Sequence, residues 1–349
     1  MITTVIGAYP KPKYLKITDW FNAQGGTDTK NPTKYYVEEV NQMKEKGEEF
    51  FVKAATEVIN DQIDCGIDII TDGEVRRENY IHYHCRHIDG INFNTLTEKI
   101  ARTGNYKCLL PTIVSKVRAQ DSFLVEDWKS SQKLSSKPIK ITLPGPMTIA
   151  DTIANNYYTS YEKMGFDLAE VINVEIKRLQ KAGCKYIQID EPLFARKPQD
   201  AINFGINNLE KCFEGLEKED VEKITHICCG YPDKMDAVDY PKAPLESYHK
   251  IANQLNQSII NTVSLEDAHR YNDLSLLEKF SNTKIILGVI KIASSEEETV
   301  DEIQSRVNAA KKHIKKEQLI AAPDCGLGHL PRDLAKRKLK IMVNAVKDI

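Results

Sequence analysis

Short apolar runs rich in Ile and Val alternate along the chain with longer stretches in which apolar residues recur every three or four positions. The first pattern suits a buried strand and the second one face of a helix. Eight runs read as strands: "TTVIGAY" (3–9), "IDIITDGE" (67–74), "PIKITLPGP" (138–146), "KYIQIDEP" (185–192), "KITHICCG" (223–230), "INTVSLEDA" (260–268), "KIILGVIKI" (284–292) and "LIAAPDCGL" (319–327). Most are apolar almost throughout, as strands covered on both faces are. Between them, Leu168, Val171, Ile172, Ile176 and Leu179 mark one face of a helix over 166–183, with Gly183 as a stop; Leu334, Leu339, Met342, Val343 and Val346 do the same over 331–348, behind Pro331. Eight such alternations predict an α/β fold of the TIM (β/α)8 barrel type, with an open doubly wound sheet as the other arrangement.

Residues 80–136 break the rhythm, being too long for a connection and lacking a single helical period. They read as an insertion after the second strand, placed to cover the barrel mouth and with room for a hairpin of its own. Otherwise the chain, 1–349, reads as one domain, with a polar loop at "GGTDTKNPTK" (25–34).

With 48 Lys and Arg against 50 Asp and Glu, the net charge of −2 offers no general attraction to nucleic acid or an anionic membrane, so a small-molecule substrate is expected. The amino-terminal "MITTVIGAYPKPKY" lacks a secretory pattern, and no run reaches the ~18 apolar residues of a membrane span, which together predict a cytoplasmic protein. Eight cysteines in a chain of this size are too sparse for a disulfide framework; clustered cysteines point instead to metal binding or catalysis.

The chemically distinctive residues gather where the strand patterns end: Asp72 and Glu74, Asp190 and Glu191, His226 with Cys228 and Cys229, Glu266 with Asp267, and Asp324 with Cys325. A closed barrel opens all those ends onto one face. Imidazole and thiolate suit zinc, and His-x-Cys on a strand turns His226 and Cys228 to one side while Cys229 points away. Cys325 and Glu266 complete a candidate four-ligand set. Cys65, Cys85, Cys108, Cys184 and Cys212 have no metal spacing and read as packing. "HYHCRH" (82–87) is a rival, although His82, His84 and His87 suit a lid over substrate better. Glu74 in "TDGE" and Asp190 in "IDEP" are either helix caps or partners for a substrate ammonium, the reading favoured here.

The blocks "TDGE", "LPGPMTI", "IQIDEP", "HICCGYP", "SLEDAHR" and "APDCGL", in this order across nearly the whole chain, resemble the catalytic barrel of cobalamin-independent methionine synthase in its single-barrel form. The resemblance implies zinc held by His226, Cys228, Glu266 and Cys325. It also implies amino-acid binding by Glu74, Asp190 and the turn at Ile6 to Ala8, with homocysteine as the thiol and a methyl-folate-type or other donor. Zinc would lower the pKa of the substrate thiol, which then attacks the donated methyl group.

Three positions depart from the family pattern. Ala8 stands where a Ser is common, Thr152 where a Trp packs against the pterin, and Ala293 where a His protonates the donor. A tertiary amine leaves poorly unless protonated, so folate as donor requires a replacement acid, for which His84, His87 and His329 are available. Lys291, two residues before Ala293, suits an anionic group. Two alternatives therefore accompany methyl transfer to homocysteine: zinc-thiolate opening of an epoxide in the manner of epoxyalkane:coenzyme M transferase, and a non-catalytic zinc-binding protein. Retention of Glu74 and Asp190 speaks against the second.

Overall fold

The computed structural model describes all residues except 22–30, 102–105, 218, 233, 238 and 239; of 31–34, 45, 95, 100, 101 and 106–108 it describes the backbone alone. The predicted loop at 25–34 thus falls partly outside the described residues, and a helix, Asn31–Gln42, begins at its end. The Cys108 side chain also lies outside them.

Among the described residues there are ten strands: β1 (Ile2–Thr3), β2 (Ile88–Ala101), β3 (Tyr106–Ala119), β4 (Lys140–Pro144), β5 (Ala154–Asn155), β6 (Tyr186–Asp190), β7 (Glu222–Ile227), β8 (Thr262–Leu265), β9 (Lys284–Ile290) and β10 (Leu319–Pro323). Seven form one parallel sheet in the order β1-β10-β9-β8-β7-β6-β4. The second strand of the sequence pattern, 67–74, is reduced to single bridges, Ile69 to Thr4 and Ile70 to Ile139, which touch both edges of that sheet.

The ladder registers sort the side chains by face. Thr142, Gln188, Ile224, Thr262 and Lys284 follow one another across the sheet, as do Pro144, Asp190, His226, Ser264, Ile286 and Ile320. Ile141, Leu143, Ile187, Ile189, Val263, Leu265, Ile285, Leu287, Leu319 and Ala321 occupy the other face and join the main core. Helices close that face because the exposed alternative would leave these side chains in water, at about 1.5–3 kcal/mol for each Ile, Leu and Val. The first face holds only a small apolar cluster, Ile6, Ile224, Ile286, Ile320 and Ala322, and is otherwise polar. The near-continuous apolar runs concealed this division.

The helix expected over 166–183 spans Tyr161–Ala182, entered through Ser160, whose side chain accepts from the Lys163 N–H, and stopped by Gly183 at φ 103°. The last helix is Arg332–Val346.

In the 80–136 stretch a short helix, Tyr80–Cys85, leads into an antiparallel β2–β3 hairpin and a second helix, Leu124–Lys133. It is fastened to the helix Tyr161–Ala182 and to the segment before it: Glu175 accepts from Ser122 Oγ at 2.6 Å and from the Leu124 N–H at 3.0 Å, and Tyr158 accepts from the Val117 N–H at 3.1 Å. No described helix is long and apolar enough to cross a membrane.

Candidate metal and substrate site

His226 is the last inward residue of β7, flanked in the ladder by Asp190 and Ser264. Ser264 Oγ lies 2.9 Å from His226 Nδ1, leaving Nε2 to face Cys325 Sγ at 3.3 Å. Cys228 Sγ lies 2.9 Å from Glu266 Oε1. The ligand atoms of His226, Cys228 and Cys325 all fall within 4.8 Å of one another. His226, Cys228 and Glu266 are buried, and Cys325 is partly exposed.

The electrostatics of this cluster call for a cation. Burial keeps the imidazole of His226 neutral, its pKa lowered to about 3. Hydrogen bonding to Cys325 and burial hold the Cys228 thiol well above its ordinary value. The Cys325 thiol is favoured as thiolate by Cys228, yet burial and the Glu266 charge leave it raised. Burial, with the charges of Cys228 and Asp324, lifts Glu266 well above the carboxylate range. Its Oε2 is buried without a hydrogen-bond partner. Three acidic groups around a neutral imidazole are each penalised as anions, and a thiophilic divalent ion removes the penalty from all of them. The residues therefore fit zinc, whose ligands are separated by roughly 3–4 Å in a tetrahedron with the usual bond lengths.

Several groups hold the cluster in place. Asp324 accepts from the N–H groups of Asp267, Ala268 and His269 at 2.8, 2.8 and 2.6 Å, fixing the segment that carries Glu266. Asp267 itself is clasped by Arg306 at 2.5 and 2.7 Å. A register shift between Ala322 and Pro323 precedes Asp324 and Cys325, the kind of local irregularity that re-aims side chains next to functional sites. Cys229 packs in the helix-side core. Because the Ser264 hydroxyl orients the imidazole, Ser264→Ala should weaken metal affinity by about 10–100-fold in a chelator competition while leaving the fold intact.

Glu74 and Asp190 lie on the same side of the sheet as His226. Glu74 adopts a left-handed backbone, φ 55°, after Gly73 at 68°. Its Oε1 accepts from Thr142 Oγ1 at 2.7 Å and Arg77 Nη1 at 3.2 Å. A Cβ on Gly7 would meet that same oxygen at 2.5 Å, so the turn at Ile6 to Ala8 abuts the carboxylate directly. Gln188 Nε2 bridges Asp190 Oδ1 at 2.7 Å and the Ile6 carbonyl at 3.0 Å. Beneath them Lys140, fully buried, donates to the Val5 carbonyl at 2.5 Å. Glu191 does something else: its carboxylate accepts from the N–H groups of Met147 and Thr148 at 2.9 and 3.0 Å, capping the helix Pro146–Thr152. Of the acidic pair in "IDEP", Asp190 faces the site and Glu191 is the cap.

The remaining expected residues lie apart. His84 Nδ1 meets the Tyr80 carbonyl at 2.6 Å, and His87 stacks on Phe123 with centroids 3.9 Å apart. Among the described residues His82, His84 and His87 do not converge as His226, Cys228 and Cys325 do. Lys291 lines a cleft with Glu296, Glu297, Glu298, Glu302 and Arg306, in which Glu298 is paired with Lys338 and Glu297 with Arg337. Ala293 is buried, and near it His269 Nε2 accepts from the Ile292 N–H at 2.9 Å. Ser264, Thr142, Arg77 and Gln188 escaped the sequence reading because each is an ordinary polar residue; the one signal is position, two residues before Glu266 for Ser264, two before Asp190 for Gln188 and three after Glu74 for Arg77, and Thr142 carries none.

A parallel α/β sheet carrying two thiols, an imidazole and buried carboxylates at its strand ends defines a metal-capable enzyme centre for a small substrate. The family model for the catalytic domain of cobalamin-independent synthase matches residues 1–348, and the chain belongs to the cobalamin-independent methionine synthase family, which are methyltransferases. It is 32% identical over 346 residues to a methionine synthase of Sulfurisphaera tokodaii, covering 99% of this chain and 91% of that protein. It is 30% identical over 342 residues to that of Sulfolobus acidocaldarius, covering 98% and 90%. A B12-independent methionine synthase from Shewanella sp. W3-18-1, described in complex with selenomethionine, superposes with a TM-score of 0.84 at 29% identity over 99% of this chain and 96% of that one. A putative B12-independent methionine synthase from Listeria monocytogenes, at 19% identity and TM-score 0.72 over 100% and 98%, shares the fold.

Proposed function

We propose that this chain transfers a methyl group to the thiol of homocysteine, forming methionine, with zinc held by His226, Cys228, Glu266 and Cys325. The observation that carries this reading is the adjacency of a thiol-rich ligand set to two inward carboxylates, since His226 and Asp190 are ladder neighbours. Glu74 and Asp190 receive the substrate ammonium, while the turn at Ile6 to Ala8 borders the amino-acid end. Bound zinc lowers the pKa of a thiol so that it is nucleophilic near neutral pH. The chain's own groups orient the amino acid and keep its sulfur beside Cys325, the partly exposed member of the cluster. The selenomethionine in the Shewanella relative supports a methionine-shaped subsite.

In this reading residues 1–349 form one (β/α)8 barrel with an insertion at about 80–136, and the segment around Ile69 and Ile70 is its remaining stave, closing the sheet between β1 and β4. The enzyme works in the cytoplasm on a small-molecule thiol and an alkyl donor. Coenzyme M as the thiol is less well supported, because it has no ammonium group to meet Asp190, the ladder neighbour of His226.

Zinc-edge absorption of the zinc-loaded protein tests the assignment. Homocysteine should replace an oxygen or nitrogen ligand by sulfur, and coenzyme M should not. A zinc shell unchanged by homocysteine would refute the proposed activity.

A further inference from the structure

Residues 5–8 carry the turn beside Glu74, and each of their carbonyls is held by a different part of the chain. Lys140 Nζ donates to the Val5 carbonyl at 2.5 Å, Gln188 Nε2 to that of Ile6 at 3.0 Å, Thr71 Oγ1 to that of Gly7 at 2.8 Å, and the Leu327 N–H to that of Ala8 at 2.7 Å. A trans peptide is planar, with its N–H directed away from its C=O, so a clamp on one carbonyl aims the N–H of the next residue. Lys140, Gln188 and Thr71 in this way aim the N–H groups of Ile6, Gly7 and Ala8. These three residues are buried, and none of their N–H groups has a hydrogen-bond acceptor among the described residues. Buried amides are rarely left so. The turn also adjoins the metal cluster: Leu327 follows Cys325 by two residues, and a Cβ on Gly326 would meet that of Ala8 at 3.0 Å.

Of these clamps Lys140 is the one the fold could do without. It stands on the inward side of β4, two residues before Thr142, and its side chain is fully buried. Burial, opposed by the charges of Asp190 and Glu74, brings its pKa down to about 7. An apolar side chain of similar length would fill the place without that penalty. Nor is the ammonium needed to satisfy Val5, whose carbonyl also accepts from Thr4 Oγ1 at 3.2 Å. We infer that Lys140 is a positioning residue for the carboxylate end of the amino-acid substrate, aiming the Ile6 N–H and supplying positive charge beneath the Ile6 to Ala8 turn. The inference rests on the proposed binding of homocysteine and adds the group that orders its seat. A substrate carboxylate is an acceptor for the unpaired donors, and the buried ammonium attracts it further. The substrate ammonium is served instead by Glu74 and Asp190, so loss of Lys140 should weaken one end of the substrate and not the other. Lys140 touches no reacting atom; it acts through the Val5 carbonyl.

Titrations of the zinc-loaded protein, followed at the zinc edge, test this with two thiols: homocysteine, and 3-mercaptopropylamine, which keeps the amine and lacks the carboxylate. In Lys140→Met the zinc content should be unchanged and the melting temperature equal or higher. The homocysteine concentration for half-saturation should rise at least tenfold, about 1.4 kcal/mol. That for 3-mercaptopropylamine should stay the same or fall, because a cation competing for Glu74 and Asp190 has gone. A purely structural role would instead lower the melting temperature and weaken both thiols. Lys140→Leu, smaller at the same place, repeats the test; failure of both variants to fold would assign the lysine to the fold and overturn the inference. Unchanged half-saturation by homocysteine, or equal weakening of both thiols, would overturn it as well, while the wild-type response to homocysteine leaves the proposed activity standing. Absence of that wild-type response would overturn the activity and the inference together.

Discussion

Replacing Cys325 by Ser should strip the protein of its metal and its activity together. Cys325 is the partly exposed member of the cluster, and its Sγ lies 3.3 Å from His226 Nε2. A serine hydroxyl is a hard, weakly acidic ligand in place of a soft thiolate, so the remaining imidazole, thiol and carboxylate would hold zinc with far less selectivity. Elemental analysis after dialysis against a chelator should fall from about one zinc per chain to below about a tenth, because ligand loss acts directly on the binding free energy. Methionine formation should drop by about a thousandfold or more, since the thiol then loses the ion that ionises it. Cys229→Ser is the control. That thiol packs in the helix-side core, so the variant should melt at a lower temperature and keep its zinc. Full zinc content in Cys325→Ser would refute the ligand assignment.

Neutralising the paired carboxylates should separate substrate binding from metal binding. In the proposed activity Glu74→Gln and Asp190→Asn would each remove one partner of the substrate ammonium, and a charge-assisted hydrogen bond contributes about 1.5–3 kcal/mol. The KM for homocysteine should therefore rise by about 10–100-fold in each variant, with zinc content unchanged. A thiol lacking the amino group should be used equally by wild type and variants. The pH dependence has a definite sign. Burial first, and then the Glu74 charge, push Asp190 up to about 8, so in the empty site it is largely protonated at pH 7. Affinity for homocysteine should then improve as pH rises towards that value, and binding should release a proton because the arriving ammonium favours the carboxylate. In Asp190→Asn this part of the pH profile should flatten.

How much of this was legible beforehand varies by residue. His226, Cys228, Glu266 and Cys325 stood out because His and Cys at strand ends are chemically conspicuous, and register then brought them together. The strand around Ile69 and Ile70 read as strongly as any other, yet only single bridges form there; an apolar run signals burial without guaranteeing a continuous ladder. The "IDEP" carboxylates looked equivalent and divide by parity, Asp190 inward and Glu191 onto a helix terminus.

The alternation across the sheet has a practical meaning. In β4, β6, β7 and β8, and in β9 and β10 up to the register shift after Ala322, the residues that face the chemistry are even-numbered, and those that face the helices are odd-numbered. Every strand thus carries two interleaved messages, one read by folding and one by catalysis. Evolution can rewrite either without editing the other, provided that substitutions keep to their own parity.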